Sequence, residues 1–163
     1  MAGTQRSARR VQDSALETVR LMMPQDANIQ GNVYGGTIMK LMDEIAGAVA
    51  ARHCRRNVVT ASVDRMDFFR PVYIGNLLTL KSSVNYVGKT SLEVGVRIEA
   101  EDLRTAEVVH TGSSYLTFVA LDKGKPSLVP EIIPETKDQK RRYREGRERK
   151  EQRLELARKE KTS

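Results

Sequence analysis

Asp43 is a carboxylate set inside a run of apolar, helix-forming residues that begins just after the pair Gly35 and Gly36. An acid beside a buried helix face costs free energy unless it is paired or used. The same short segment supplies a helix start, where backbone N–H groups and the helix dipole can hold a developing negative charge. A base and an oxyanion site on one element point to chemistry at a carbonyl carbon. Other chemistry is poorly provided for. Cys54 is the single cysteine, so no internal disulfide forms, and with His53 and the distant His110 it makes no metal-ligand spacing.

The elements that position Asp43 follow from hydrophobic period. At about 100° per residue, Ile38, Leu41, Met42, Ile45 and Val49 share one broad helix face over residues 36–53. Asp43 lies on a flank of that face with Gly36, Met39, Ala46, Gly47 and Ala50, where a ligand or another backbone can approach closely. Downstream the period changes to two. Strands are expected over 58–69, 76–86, 91–101 and 106–121, with residues 88–90 turning the second into the third. In the first of these, Thr60, Ser62 and Asp64 fall on one side and Val59, Ala61 and Val63 on the other. A further strand over 15–23 precedes the helix, separated from it by an Asn-, Asp- and Gly-rich loop over 26–36. The order predicts an α+β fold, a mostly antiparallel sheet wrapped around one long helix. One sheet covers only part of so apolar a helix, so a second subunit is expected to finish the core or extend a sheet edge.

Charge divides the chain. Residues 137–163 carry twelve of the 28 basic and six of the 21 acidic groups, leaving 16 basic against 15 acidic in the remainder. The basic character therefore belongs to a C-terminal appendix, read as a solvated and partly frayed helix after a Pro-punctuated linker. Interleaved acids, with Tyr143 the only aromatic there, argue against specific nucleic-acid binding. Residues 1–10 are expected to be disordered, 11–125 to form the domain, and 126–163 to be linker and tail. No apolar run approaches a membrane span and the N-terminus lacks a signal-peptide core, so a cytoplasmic protein is expected.

Residues 26–47, DANIQGNVYGGTIMKLMDEIAG, resemble the core motif of hotdog-fold acyl-CoA thioester hydrolases, in the cytosolic bacterial branch related to brain acyl-CoA hydrolase. Residues 59–64 (VTASVD), 69–76 (FRPVYIGN) and 87–91 (VGKTS) extend the resemblance, which spans residues 16–121. It implies a hotdog fold and hydrolysis of fatty acyl-CoA to fatty acid and coenzyme A, with no cofactor beyond the coenzyme A of substrate and product. Asp43 matches the family's catalytic carboxylate and Asn32 its loop amide or acid. Tyr34 stands where many relatives have His. The resemblance further implies a homodimer with the site between subunits, Asp43 of one chain working with Asn32 or Thr60 of the other, and assembly as a trimer of dimers.

Within that reading, backbone N–H groups around Gly35, Gly36 and Thr37 would hold the oxyanion, and Thr60 or Ser62 would orient Asp43 or the water. Gly35, Arg70, Lys89, Thr90 and Ser91 are the candidates for coenzyme A, with Arg55 and Arg56 as further phosphate partners. The competing function on the same scaffold is a non-catalytic acyl-CoA-binding regulator.

Overall fold

A single helix, α1 (Gly35–Cys54), runs through the centre of the computed structural model, which describes residues 6–161. Tyr34 sets its start: the backbone there is extended, and its carbonyl accepts the N–H groups of Thr37 at 3.0 Å and Ile38 at 3.3 Å. The helix stops where Arg55 turns left-handed, φ 54°, and its N–H closes on Ala51. Ile38, Met42, Ile45, Ala46, Val49 and Ala50 are buried, as the 3.6-residue period requires.

Around α1 curls an antiparallel sheet. Its strands are β2 (Leu16–Leu21), β3 (Asn57–Phe68), β4 (Asn76–Val87), β5 (Ser91–Asp102) and β6 (Glu107–Asp122), in the spatial order β2-β4-β5-β6-β3. A two-residue β7 (Lys125–Pro126) adds to β6. Alternation sends Leu78, Leu80 and Val84 of β4, Leu92, Val94, Val96 and Ile98 of β5, and Leu116, Phe118 and Ala120 of β6 into one core with α1. Each large side chain so buried is worth about 1.5–3 kcal/mol. This is the hotdog arrangement. Among the described residues no strand lies beside the outer edge of β3.

Two expectations are corrected. Within residues 1–10, positions 1–5 lie outside the described residues, but residues 6–10 are ordered. There β1 (Ala8–Arg10) pairs in parallel with β8 (Glu131–Ile133), and Arg6 donates to the carbonyls of Gly88 and Val129. The C-terminal segment is a helix, α2 (Lys137–Lys161), yet it is not a free-standing solvated one. It lies across the sheet face turned away from α1. Gly146 sits over Tyr86 and Glu93, Tyr143 meets Tyr86 edge-on, Arg149 bridges to Glu93, and Arg153 bonds Asp64. The linker is a strand-bearing strap rather than a tether.

At the far end of α1, His53 and Cys54 are both buried. Burial holds the His53 imidazole below its ordinary range, and its Nε2 lies 2.9 Å from the Pro130 carbonyl, so that nitrogen carries the proton. Burial likewise pushes the Cys54 thiol up to about 11. Neither group supplies a nucleophile. Among the described residues no helix is long and apolar enough to cross a membrane, and no three His, Cys, Asp or Glu side chains converge.

Candidate active site

Asp43 is exposed in the protomer, two turns into α1, and its Oδ1 accepts a hydrogen bond from Thr60 Oγ1 at 2.8 Å. Among the described residues its other oxygen has no partner. Thr60 reaches Asp43 because of a bulge. It pairs with Phe118, on the α1 side of the sheet, whereas Ser62 pairs with Thr117 on the outer side, leaving Ala61 unpaired between them. An inserted residue reverses side-chain parity along the strand. The expected common side for Thr60, Ser62 and Asp64 is therefore wrong. Ser62 Oγ is buried with no hydrogen-bond partner among the described residues, and Asp64 faces α2. The expectation that Thr60 serves the carboxylate of a second chain is also corrected: it bonds Asp43 of its own.

The loop before α1 is anchored by Asp26, which is buried and accepts from Met23 N–H at 2.9 Å and Arg20 Nη2 at 3.0 Å. Two residues on, Asn28 organises the turn. Its Oδ1 accepts from the N–H groups of Gln30 (2.9 Å) and Asn32 (3.1 Å), and its own N–H donates to the Asn32 carbonyl at 2.7 Å. With Oδ1 occupied, the Asn28 side chain has its NH₂ group to offer. Asn32 is half-buried, with its main chain tied to Asn28 on both sides, and its amide makes no hydrogen bond among the described residues. Sequence reasoning passed over both Asp26 and Asn28. The signal available was the Asn28-to-Asn32 spacing of a side chain closing its own loop.

Helix geometry leaves the N–H groups of Gly35 and Gly36 without intrahelical partners. Open space surrounds both: a Cβ at Gly35 would meet nothing within 4 Å, and one at Gly36 only the Tyr34 ring at 3.8 Å. The protomer's own packing does not demand glycine at either position.

The coenzyme A candidates separate into two groups. Gly35 and Arg70 lie at one end of the sheet, where Val33 N–H meets the Val72 carbonyl at 2.8 Å. Lys89, Thr90 and Ser91 turn the β4–β5 hairpin at the other end. Twelve-residue strands put these ends roughly 35 Å apart. Asp43 and Thr60 belong to the hairpin side, since Thr60 pairs with Phe118 and Phe118 with Leu92.

Residues 30–107 match the model of the thioesterase superfamily. Over 119 residues the chain is 44% identical to the uncharacterized acyl-CoA thioester hydrolase YkhA of Bacillus subtilis, covering 72% of this chain and 69% of that one. The chain belongs to the acyl-CoA thioester hydrolases.

A crystal structure of an apo hexameric acyl-CoA thioesterase superposes with a TM-score of 0.90 at 39% identity, covering 93% of this chain and 97% of that one. An acyl-CoA hydrolase from Staphylococcus aureus, solved with butyryl coenzyme A, coenzyme A and coenzyme A disulfide, gives 0.89 at 37% identity and 95% of each chain. Alanine variants of the S. aureus enzyme at an asparagine, an aspartate and a threonine have been solved as well. Those three residues are spaced as Asn28, Asp43 and Thr60 are here. For an acyl-CoA thioester hydrolase the Thr60 contact has a measurable consequence. Thr60→Val removes one hydrogen bond to the carboxylate, so kcat should fall about tenfold. Because Thr60 is exposed, the melting temperature should hardly move. Steady-state kinetics beside a thermal melt check both.

Proposed function

We propose that this acyl-CoA thioester hydrolase cleaves fatty acyl-CoA at sites shared by two copies of the chain, with Asp43 from one copy and the loop–helix start from the other. One observation carries the sharing. Gly36 and Asp43 are seven residues apart on α1, on nearly the same azimuth but roughly 10 Å apart along the axis. The attacking water and the carbonyl oxygen of one thioester lie about 3 Å from their respective catalytic groups. A single helix cannot bring both ends to one carbonyl. A second copy can: pairing β3 with its antiparallel equivalent across the free edge brings the partner's helix start toward this chain's Asp43. The exposed apolar residues Val59, Val63 and Phe68 of β3 support that contact.

At the shared site Asp43 takes a proton from water as the water oxygen attacks the thioester carbon. Direct attack to a mixed anhydride is the other route open to the same carboxylate. The tetrahedral oxyanion is received by the N–H groups of Gly35 and Gly36. The Asn28 NH₂, presented because Oδ1 is committed to the loop, polarises the same oxygen. Asn32 holds the loop through its main chain, and its free amide stands next in line for that role. Collapse of the intermediate expels the coenzyme A thiolate, which gains a proton, and the fatty acid leaves. The reaction uses no cofactor, coenzyme A being part of substrate and product. Dimers of this kind assembling in threes and a cytoplasmic setting complete the reading. A non-catalytic acyl-CoA-binding regulator is the less favoured alternative, since it gives the Thr60-held carboxylate no task.

A thiol-reporting assay over short, medium and long acyl-CoAs tests the reading. Turnover of at least one class is expected, whereas binding without turnover across the whole panel would favour the regulator. Asn28→Ala should cost roughly 10²–10³-fold in kcat, the loss typical of one oxyanion donor. Asn32→Ala should cost less than tenfold. Kinetics with equal losses for the two variants would remove the distinction drawn between them.

A further inference from the structure

Asn28 stands at the tip of a loop whose two legs form a short ladder. Tyr34 N–H donates to the Asp26 carbonyl at 2.8 Å, Ala27 bridges to Val33, and Asn28 N–H donates to the Asn32 carbonyl at 2.7 Å. The leg on the helix side is fixed to the body of the protein. There Val33 N–H donates to the Val72 carbonyl at 2.8 Å, Asn32 bridges to Tyr73, and Tyr34 starts α1. The incoming leg, residues 24–28, is held differently. Beyond the loop's own bonds and its turn onto Met23 and Pro24, its hydrogen bonds to the rest of the described chain come from one side chain, Asp26.

Asp26 is 5% exposed. Its Oδ2 accepts from Met23 N–H at 2.9 Å and its Oδ1 from Arg20 Nη2 at 3.0 Å, the guanidinium reaching in from the edge strand β2. Arg20 is its one ion-pair partner among the described residues. A buried carboxylate deprived of its cation is strongly uncompensated. The nearest route to water for this one is to lift the incoming leg, so the strain of losing Arg20 falls on the loop rather than on the core.

We infer that the Arg20–Asp26 ion pair is a latch that sets the position of the Asn28 NH₂ group, so that both residues are positioning residues for the hydrolysis. The inference rests on the reading of Asn28 as an oxyanion donor. Asn28 lies two residues beyond Asp26 in the same ladder, and a shift of the latch passes directly to it. An oxyanion donor acts only at about 3 Å from the oxygen, and a misplacement of about 1 Å can cost 10²-fold. The N–H groups of Gly35 and Gly36 are held by α1 itself, so a loosened leg displaces Asn28 first. Because the donor acts on charge that develops in the transition state, the loss belongs to kcat and not to KM.

Arg20→Met, Arg20→Lys, Asn28→Ala and the double variant Arg20→Met, Asn28→Ala, each in the full chain and assayed on the acyl-CoA that the wild type turns over fastest, test it. Arg20→Met should lower kcat roughly ten- to hundredfold with KM within about twofold, and Arg20→Lys, which keeps the cation, should regain most of that loss. In the double variant the Arg20 substitution should add less than about twofold to the loss from Asn28→Ala, because no donor is left to misplace. Hydrogen exchange gives a second reading independent of turnover. The amides of Asn28 and Tyr34 should exchange at least about tenfold faster in Arg20→Met, with the interior of α1 unchanged. Wild-type kcat in Arg20→Met, losses that multiply in the double variant, or lost protection across α1 as well would overturn the latch and leave the Asn28 assignment standing. Wild-type kcat in Asn28→Ala would instead defeat that assignment, and the latch with it.

Discussion

Asp43→Asn should lower kcat for acyl-CoA hydrolysis by about 10²–10⁴-fold, the contribution of a positioned general base. KM should change little, because a carboxylate that acts on water adds little to ground-state binding. Stability should be nearly untouched. Asp43 is exposed in the protomer and its side chain's one hydrogen bond among the described residues is with Thr60, so the melting midpoint should move by no more than about 2 °C. Asparagine keeps the size of the side chain and the acceptor for Thr60 Oγ1 while removing the base. A collapse of both activity and stability would instead mark Asp43 as a packing residue.

The second large effect falls on stability, far from the reacting atoms. Glu93 is 2% exposed on the outer face of β5. Arg149 meets it with Nε at 3.0 Å and Nη2 at 2.7 Å, Asn85 Nδ2 adds a third bond at 3.0 Å, and the guanidinium stacks 3.7 Å from the Tyr115 ring centroid. Arg149→Ala strands a buried carboxylate with one neutral donor, a loss of about 3–5 kcal/mol. For a chain of this length that is a fall in melting midpoint of roughly 10 °C. The double variant Glu93→Met, Arg149→Met removes both charges and keeps volume, so it should recover most of the loss. A melt of Arg149→Ala that matches wild type would show that α2 is not fastened through this pair.

What was legible in the sequence was whatever repeats. The 3.6-residue period of Ile38, Met42, Ile45 and Val49 and the alternation of Leu92, Val94, Val96 and Ile98 predict the central helix and its sheet directly. The packing of α2 was not legible, because the rule that detects a buried helix looks for an apolar stripe. This helix is fastened instead by Arg149, Arg153, Tyr143 and the cleft left by Gly146, against a sheet face bearing Glu93, Tyr86 and Asp64. Paired charges read one by one look solvated. The bulge at Ala61 escaped for a related reason: a period of two has no mark for an inserted residue, yet that insertion sends Thr60 to Asp43 and Ser62 away from it. In the loop, Asn28 and Asn32 are the same residue type four positions apart. Only the hydrogen bonds to Asn28 Oδ1 tell them apart.

The central claim is that each site is built from two copies of the chain, and subunit complementation tests it most directly. Asp43→Asn and Asn28→Ala are each prepared as inactive protein, then dissociated, mixed and reassembled. A mixed dimer holds one site with both substitutions and one with neither. Activity should therefore return to about one quarter of the wild-type level at equal mixing, since half the dimers are mixed and half their sites intact. Verified mixed dimers that stay as inactive as their parents would place Asp43 and Asn28 in the same chain's site and contradict the account.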